Sequence, residues 1–211
     1  MNRFFLIILL FALIVSCTSN EETTPSSAEN INPLLIGQQI PDVILKNASG
    51  MDVDLHKLVS EQKSLILFYR GGWCPFCNSQ LSQISNIEDE LYDKNVQIIA
   101  ISPDRPEFIK DSLTEQEIGY MLLSDSDMSV SKKFGIAFKV DPAVVASLKE
   151  NNMDIEQRSG HNHHLLPVPA IFLVDTDGTI HFQYVNPDYK VRAGDKVLLA
   201  AVDEVLEKRA D

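Results

Sequence analysis

Cysteine is scarce in this 211-residue chain, which carries three, at positions 17, 74 and 77. So few exclude a small secreted scaffold stapled by several bridges. There is no second C-x-x-C, and the histidines lie far from the Cys74/Cys77 pair in sequence, so no zinc-ligand spacing is present and no metal is expected. Positive charge is also short: 18 Lys and Arg stand against 30 Asp and Glu, a formal net charge of −12. That balance argues against nucleic acid as a partner and against electrostatic binding to an anionic membrane. The apolar run Phe4 to Val15 spans 12 residues, too short for a hydrocarbon core that needs about 20. Internal repeats and low-complexity segments are lacking in the rest of the chain.

What is present starts at the N-terminus. Arg3, the apolar run and the small Ser16 before Cys17 have the parts of an export signal. The run Ile14-Val15-Ser16-Cys17 resembles the lipobox of bacterial lipoproteins. That resemblance implies a lipidated Cys17 as the first residue of the mature chain, held at a membrane of the bacterial cell envelope on the exported side. The polar stretch that follows buries too little apolar surface to offset its ordering entropy. Residues 1–17 therefore read as a lipoprotein signal, 18–35 as a flexible tether and 36–211 as one domain.

Within the domain, strand and helix patterns alternate. Asp42 to Leu45 and Met51 to Leu55 flank the turn Asn47-Ala48-Ser49-Gly50 and predict an N-terminal β-hairpin. Leu65 to Tyr69 and Val96 to Ile101 are continuous apolar runs, as expected of strands covered on both faces. Between them Cys77, Leu81, Ile84, Ile87 and Leu91 share one face of a helix of about four turns. Further helices are expected over 106–113, 129–134, 142–151 and 194–208, with a weaker strand over 120–123. A second hairpin is expected from Ala170 to Val185 around Asp175-Thr176-Asp177-Gly178. The fold class is α/β: a central mixed sheet flanked by helices on both faces.

The chemistry concentrates at Gly71-Gly72-Trp73-Cys74-Pro75-Phe76-Cys77, between the first buried strand and its helix. A bridge closing two residues removes little chain entropy, so this pair points to redox work rather than to stapling. Pro75 suits the first helical position. Free N–H groups and the macrodipole at that terminus lower a thiol below its usual value of about 8.5, and Arg70 adds positive potential. The two glycines are expected to keep one sulfur exposed. Trp73 and Phe76 read as packing residues beside the turn.

The segments I36-G-Q-Q-I-P-D, L-I-L-F-Y-R-G-G-W-C-P-F-C, I-I-A-I-S-P-D, S-D-S-D…F-G and L-P-V-P-A-I-F-L-V-D-T-D-G together resemble the redoxin branch of the alkyl hydroperoxide reductase/thiol-specific antioxidant family. More narrowly, they are similar to its peroxiredoxin-like members with a C-x-x-C. The resemblance covers about residues 36–208. It implies a thioredoxin-like fold and reduction of hydrogen peroxide or alkyl hydroperoxides, recycled by a thioredoxin-like protein reductant, with no cofactor. In that alignment Cys74 takes the place of a Thr and Cys77 the peroxidatic place. Pro169 stands where peroxiredoxins have an Arg. A Pro there is a thioredoxin feature, and Val168–Pro169 is accordingly the expected cis peptide. Thioredoxins also bury an acid where this chain has Phe68.

Thioredoxin logic makes Cys74 the nucleophile, and peroxiredoxin alignment makes it Cys77. The site thus comprises Cys74 and Cys77, supported by Trp73, Pro75, Arg70 and Pro169. Three functional classes follow: a thiol peroxidase first, an exported protein-disulfide reductase second, and a non-catalytic binding lipoprotein third. His161, His163 and His164 read as a polar loop leading into Pro167-Val168-Pro169 rather than as ligands. Asp125 and Asp127 are expected to cap a helix, and Asp175 and Asp177 to form a turn.

Overall fold

The computed structural model describes residues 24–115 and 117–207. The expected signal, Cys17 and the first part of the expected tether fall outside those residues. The N-terminal hairpin comprises β1 (Ile44–Lys46) and β2 (Asp52–Asp54), and the chain turns directly into α1 (Leu55–Glu61). Asp54 caps that helix by accepting the N–H of Lys57. There follow β3 (Lys63–Phe68), α2 (Pro75–Ser85), α3 (Glu88–Asp93), β4 (Val96–Ser102), α4 (Pro106–Glu115), β5 (Met121–Ser124) and α5 (Ser129–Lys133). The second half comprises β6 (Ala137–Lys139), α6 (Pro142–Glu150), α7 (Ile155–Ser159), β7 (Leu165–Pro167), β8 (Ala170–Val174), β9 (Ile180–Val185) and α8 (Asp195–Glu207).

The main sheet has seven strands in the order β2-β1-β5-β4-β3-β8-β9. β3, β4 and β5 run parallel, and β8 lies antiparallel to β3 and to β9. β3 is central, with Ser64 to Phe68 all buried, because helices cover both faces. Leu65 and Leu67 pack on one side with residues of α2, α3 and α8. Ile66 and Phe68 pack on the other with residues of α1 and α5. Phe68, Phe134 and Phe172 meet there, with ring centroids 4.8 to 6.1 Å apart. Each fully buried Phe of this kind contributes about 1.5–3 kcal/mol.

Three expectations need correction. The four-turn helix breaks in two at Asn86–Ile87, where Ile87 adopts φ −111°, ψ 7°. Ser85 and Asn86 favour leaving the helix by local hydrogen bonding, yet Leu81, Ile84, Ile87 and Leu91 still share one buried face. The tether is shorter than its polarity suggests. Pro25 O accepts from Lys139 N at 2.7 Å, Asn32 N donates to Gly135 O and Leu34 N to Phe134 O, both at 3.1 Å. Ile31 and Leu34 pack on the core, and this pairing outweighs the ordering entropy of the segment. The third is the leader to β8. β6 and β7 form a separate two-stranded sheet that runs straight into Val168–Pro169, and the described residues contain no cis peptide bond. Val168–Pro169 is trans, the form that X–Pro bonds prefer intrinsically by about 0.5–1 kcal/mol.

Candidate active site

The end of β3 delivers Tyr69 to Trp73 into a short loop, and Cys74 caps α2 in extended conformation, φ −90°, ψ 115°. Pro75 opens the helix, where its missing N–H costs nothing. The loop is tied at both ends. Cys74 N donates to Gly71 O at 3.1 Å, Asn78 Nδ2 to Gly72 O at 2.8 Å, and Gly72 N to Asp104 Oδ2 at 2.7 Å. Gly71 sits at φ +134°, and a Cβ there would press on the Trp73 indole. Both positions are closed to larger residues, since a Cβ on Gly72 would collide with Ser112 Oγ.

The two sulfurs are free thiols, and neither is exposed: Cys74 is 1% accessible and Cys77 0%. This corrects the expectation of one exposed sulfur, because both cysteines belong to the buried cluster against which Trp73 packs. The two titrate apart. Cys74 is lowered to about 6, first by the Cys77 thiol donating to its sulfur. Burial opposes that shift, while the Cys77 backbone N–H and the charges of Arg70 and Arg192 add to it. Cys77 is pushed well up, because it is the donor in that contact and is buried. One proton shared between two buried sulfurs stabilises the thiolate on the first and the thiol on the second.

Two guanidinium groups bracket the pair. Arg70 is buried, with its charge between the rings of Trp73 at 5.0 Å and Tyr189 at 4.2 Å. Arg192, just before α8, brings Nη2 to 3.6 Å from Cys77 Sγ. Its Nε and Nη1, like Nε of Arg70, are buried without a hydrogen-bond partner. Sequence reasoning missed Arg192, because it is a single Arg in a polar stretch 115 residues beyond Cys77 and no local pattern marks it. Phe76, half exposed, meets Tyr189 edge to face at 5.7 Å.

Asp104 and Arg158 form a support that was equally invisible in sequence. Asp104 is fully buried, and it joins the Gly72 N–H to the guanidinium of Arg158 from α7. Pro169, the fourth supporting residue, begins the chain's entry into β8 beside the groove that Arg70 lines. It accepts a long bond from Asn186 N at 3.4 Å.

The other candidates do structural work. His163 donates Nε2–H to Ser126 O at 3.0 Å and accepts Leu165 N–H at Nδ1 at 2.9 Å, while burial lowers its pKa. His164 pairs with Glu156, and the His161 and His163 rings stack at 5.9 Å. Asp125 accepts the N–H groups of Val130 and Ser131 at the start of α5, and Asp127 that of Ser129. Asp175 and Asp177 hold their turn through Thr176 N and Thr179 N.

Known proteins share this arrangement of chain. The AhpC/TSA family pattern matches residues 36–183. Peroxiredoxin Bcp of Escherichia coli is 31% identical over 106 residues, which is 50% of this chain and 67% of that protein. A 1-Cys peroxiredoxin of Medicago truncatula is 25% identical over 182 residues, 83% of this chain and 74% of the other. Among solved structures, peroxidoxin BcpB of Mycobacterium tuberculosis superposes with a TM-score of 0.63 at 18% identity, covering 81% of this chain and 97% of its own. Reduced Prx3 of Vibrio vulnificus in complex with hydrogen peroxide gives 0.66 at 18% identity, covering 80% and 99%. The likeness to solved structures carries the thioredoxin-like fold, and the family match places this chain in the AhpC/TSA family of redoxins.

Proposed function

We propose that this domain is a dithiol peroxidase in which Cys74 is the nucleophile and Cys77 the resolving thiol. The observation that carries the assignment is the lowered Cys74 beside the raised Cys77. At neutral pH Cys74 is then largely thiolate while Cys77 keeps its proton. The Cys74 thiolate attacks the terminal oxygen of a hydroperoxide ROOH, the O–O bond breaks, and RO⁻ leaves to take a proton as ROH. Cys74 becomes a sulfenic acid. The Cys77 thiol then attacks that sulfur, water leaves, and a Cys74–Cys77 disulfide remains. Two electrons from a thioredoxin-like dithiol protein restore the pair. The unpartnered donors of Arg192 and Arg70 are suited to the negative charge that builds on the departing oxygen. No cofactor enters this cycle.

Burial of the reduced pair favours peroxide over protein disulfide as the oxidant, and recycling by a dithiol protein requires the turn to open once oxidised. A hydroperoxide presents two oxygens and fits a closed site, whereas a protein disulfide requires an exposed attacking sulfur. Stopped-flow comparison on one preparation tests the choice: hydrogen peroxide and an alkyl hydroperoxide against a disulfide-bonded protein such as insulin. Faster reaction with peroxide than any free thiol of equal pKa supports the assignment. Peroxide reacting no faster than such a thiol, with ready reduction of insulin, replaces it with the reductase reading. The lipobox-like run carries a companion proposal, that the domain works from a lipid anchor on Cys17. Mass spectrometry of the native protein should find Cys17 acylated at the mature N-terminus, and an unmodified chain starting elsewhere would remove the anchor.

A further inference from the structure

Beside the dithiol turn lies a groove of about 310 Å³, walled by Phe138, Val140, Val144, Leu166 and Val168, with Arg70 in its lining. Its volume falls at the lower end of small-molecule sites, and apolar walls with a few charged groups, of which Arg70 is the buried one, follow their usual composition. Arg70 is 8% exposed, and its Nε is buried without a partner. None of the ion pairs among the described residues includes it. In a chain with 30 acidic residues against 18 basic ones, a guanidinium buried with no carboxylate is conspicuous, because an uncompensated buried charge is costly. The aromatic faces of Trp73 and Tyr189 offset part of that cost, but they leave Nε–H unsatisfied. A neutral apolar occupant would leave it so. A carboxylate on an apolar chain would supply the counter-charge that the guanidinium in the groove lining lacks, since a planar guanidinium and a carboxylate match in charge and geometry.

We propose that this groove binds an anionic amphiphile of the medium-chain fatty acid class, with its carboxylate on Arg70 and its chain along Val140, Val144 and Phe138, and that the bound anion restrains the dithiol. The restraint follows from the position of Arg70. Its charge serves the Cys74 thiolate, as does that of Arg192, while Cys77 supplies the donated proton. A carboxylate on Arg70 cancels its share of that field. By linkage, the thiolate in turn weakens the hold on the carboxylate by the same factor. At the rim the charges are mixed: Lys139 attracts the head group, and Glu29 and Asp141 repel it. The guanidinium is therefore the group that selects for an anion.

Trp73 is the single Trp of the chain and lies 5.0 Å from the Arg70 charge, so its fluorescence reports occupancy without turnover. The assay thus stands apart from the peroxidase assignment. The reduced protein is titrated with decanoate below micelle-forming concentrations, and with decanol and acetate as controls. Decanoate should give a saturable change, with decanol weaker by roughly tenfold, the size of one satisfied charged contact, and acetate silent. Val144→Glu, at an exposed helix position, should weaken decanoate by a similar factor. Decanoate should also move the pH midpoint of Cys74 alkylation upward. Equal binding of decanol, absence of saturation, or unchanged affinity in Val144→Glu would each overturn the site. An unmoved alkylation midpoint in saturated protein would overturn the restraint.

Discussion

Arg158 grips Asp104 through two parallel hydrogen bonds, Nε to Oδ1 at 2.9 Å and Nη2 to Oδ2 at 2.6 Å. The same carboxylate accepts the N–H of Gly72, two residues before Cys74. α7, an element remote in sequence, thereby holds the turn that carries Cys74. Arg158 also lies over the Phe108 ring at 4.2 Å, so its position is set from two sides.

Breaking this pair should be costly. Arg158→Met leaves the fully buried Asp104 carboxylate without its counter-charge and is expected to destabilise by about 3 kcal/mol, the lower end for a broken buried pair, because Arg158 retains partial exposure. Urea denaturation measures the loss. Asp104→Asn, which keeps an acceptor for Gly72, should be milder. Both variants should slow Cys74 alkylation at pH 7, a change that lost stability alone would not produce in folded protein.

Cys77→Ala should raise the pH at which Cys74 becomes reactive. The Cys77 thiol is the largest cause of the lowered Cys74, so its removal moves the midpoint from about 6 toward the ordinary thiol value of about 8.5. The direction is fixed by the donor role: a lost donor to the thiolate favours the protonated form. Iodoacetamide kinetics between pH 5 and 9 report the midpoint. An unchanged midpoint would show that the helix terminus and the arginines alone hold the thiolate.

Arg192→Met should separate two properties of the site. Its charge is the last-named of the causes that lower Cys74, so alkylation should change little. Its unpartnered Nε and Nη1 are available to a departing oxygen, and loss of such a donor typically costs about 10²-fold in rate. The second-order rate with hydrogen peroxide is the test, and Arg192→Lys should recover part of it.

Asp125 ties stability to pH. Its carboxyl is raised from 3.8 to about 7, foremost by burial. The folded state thus keeps a proton, between about pH 4 and 7, that the unfolded state has released. Stability falls as pH rises through that window. Asp125→Asn keeps one acceptor for the N–H groups at the start of α5 and no longer titrates, so it should flatten this slope. Denaturation midpoints at pH 4.5 and 7.5 for both proteins show it, and parallel slopes would exclude Asp125 as the group responsible.

The sequence by itself determined the fold class, the longer elements and the family. Continuous apolar runs of strand length marked the buried strands, the period of Leu81, Ile84, Ile87 and Leu91 survived the break at Asn86, and a C-x-x-C after a buried strand marked the candidate site. Such signals are local, because strand and helix periods and capping act over a few residues. α1 and the β6–β7 pair were missed, since these short elements lack the turn or glycine signals that marked the N-terminal hairpin and α5, and α7 was missed as well. The docking of Pro25 to Leu34 was missed for a related reason: its partners, Phe134, Gly135 and Lys139, lie a hundred residues on. Assigning the thiolate to Cys74 rests on tertiary structure alone. That choice depends on Cys77 turning its S–H toward Cys74, on Arg192 arriving from the stretch before α8, and on Asp104 and Arg158 fixing the turn. Coulomb and hydrogen-bond energies depend on distance in space, and only the folded chain brings Arg192 to Cys77 and the Asp104–Arg158 pair to the turn before Cys74.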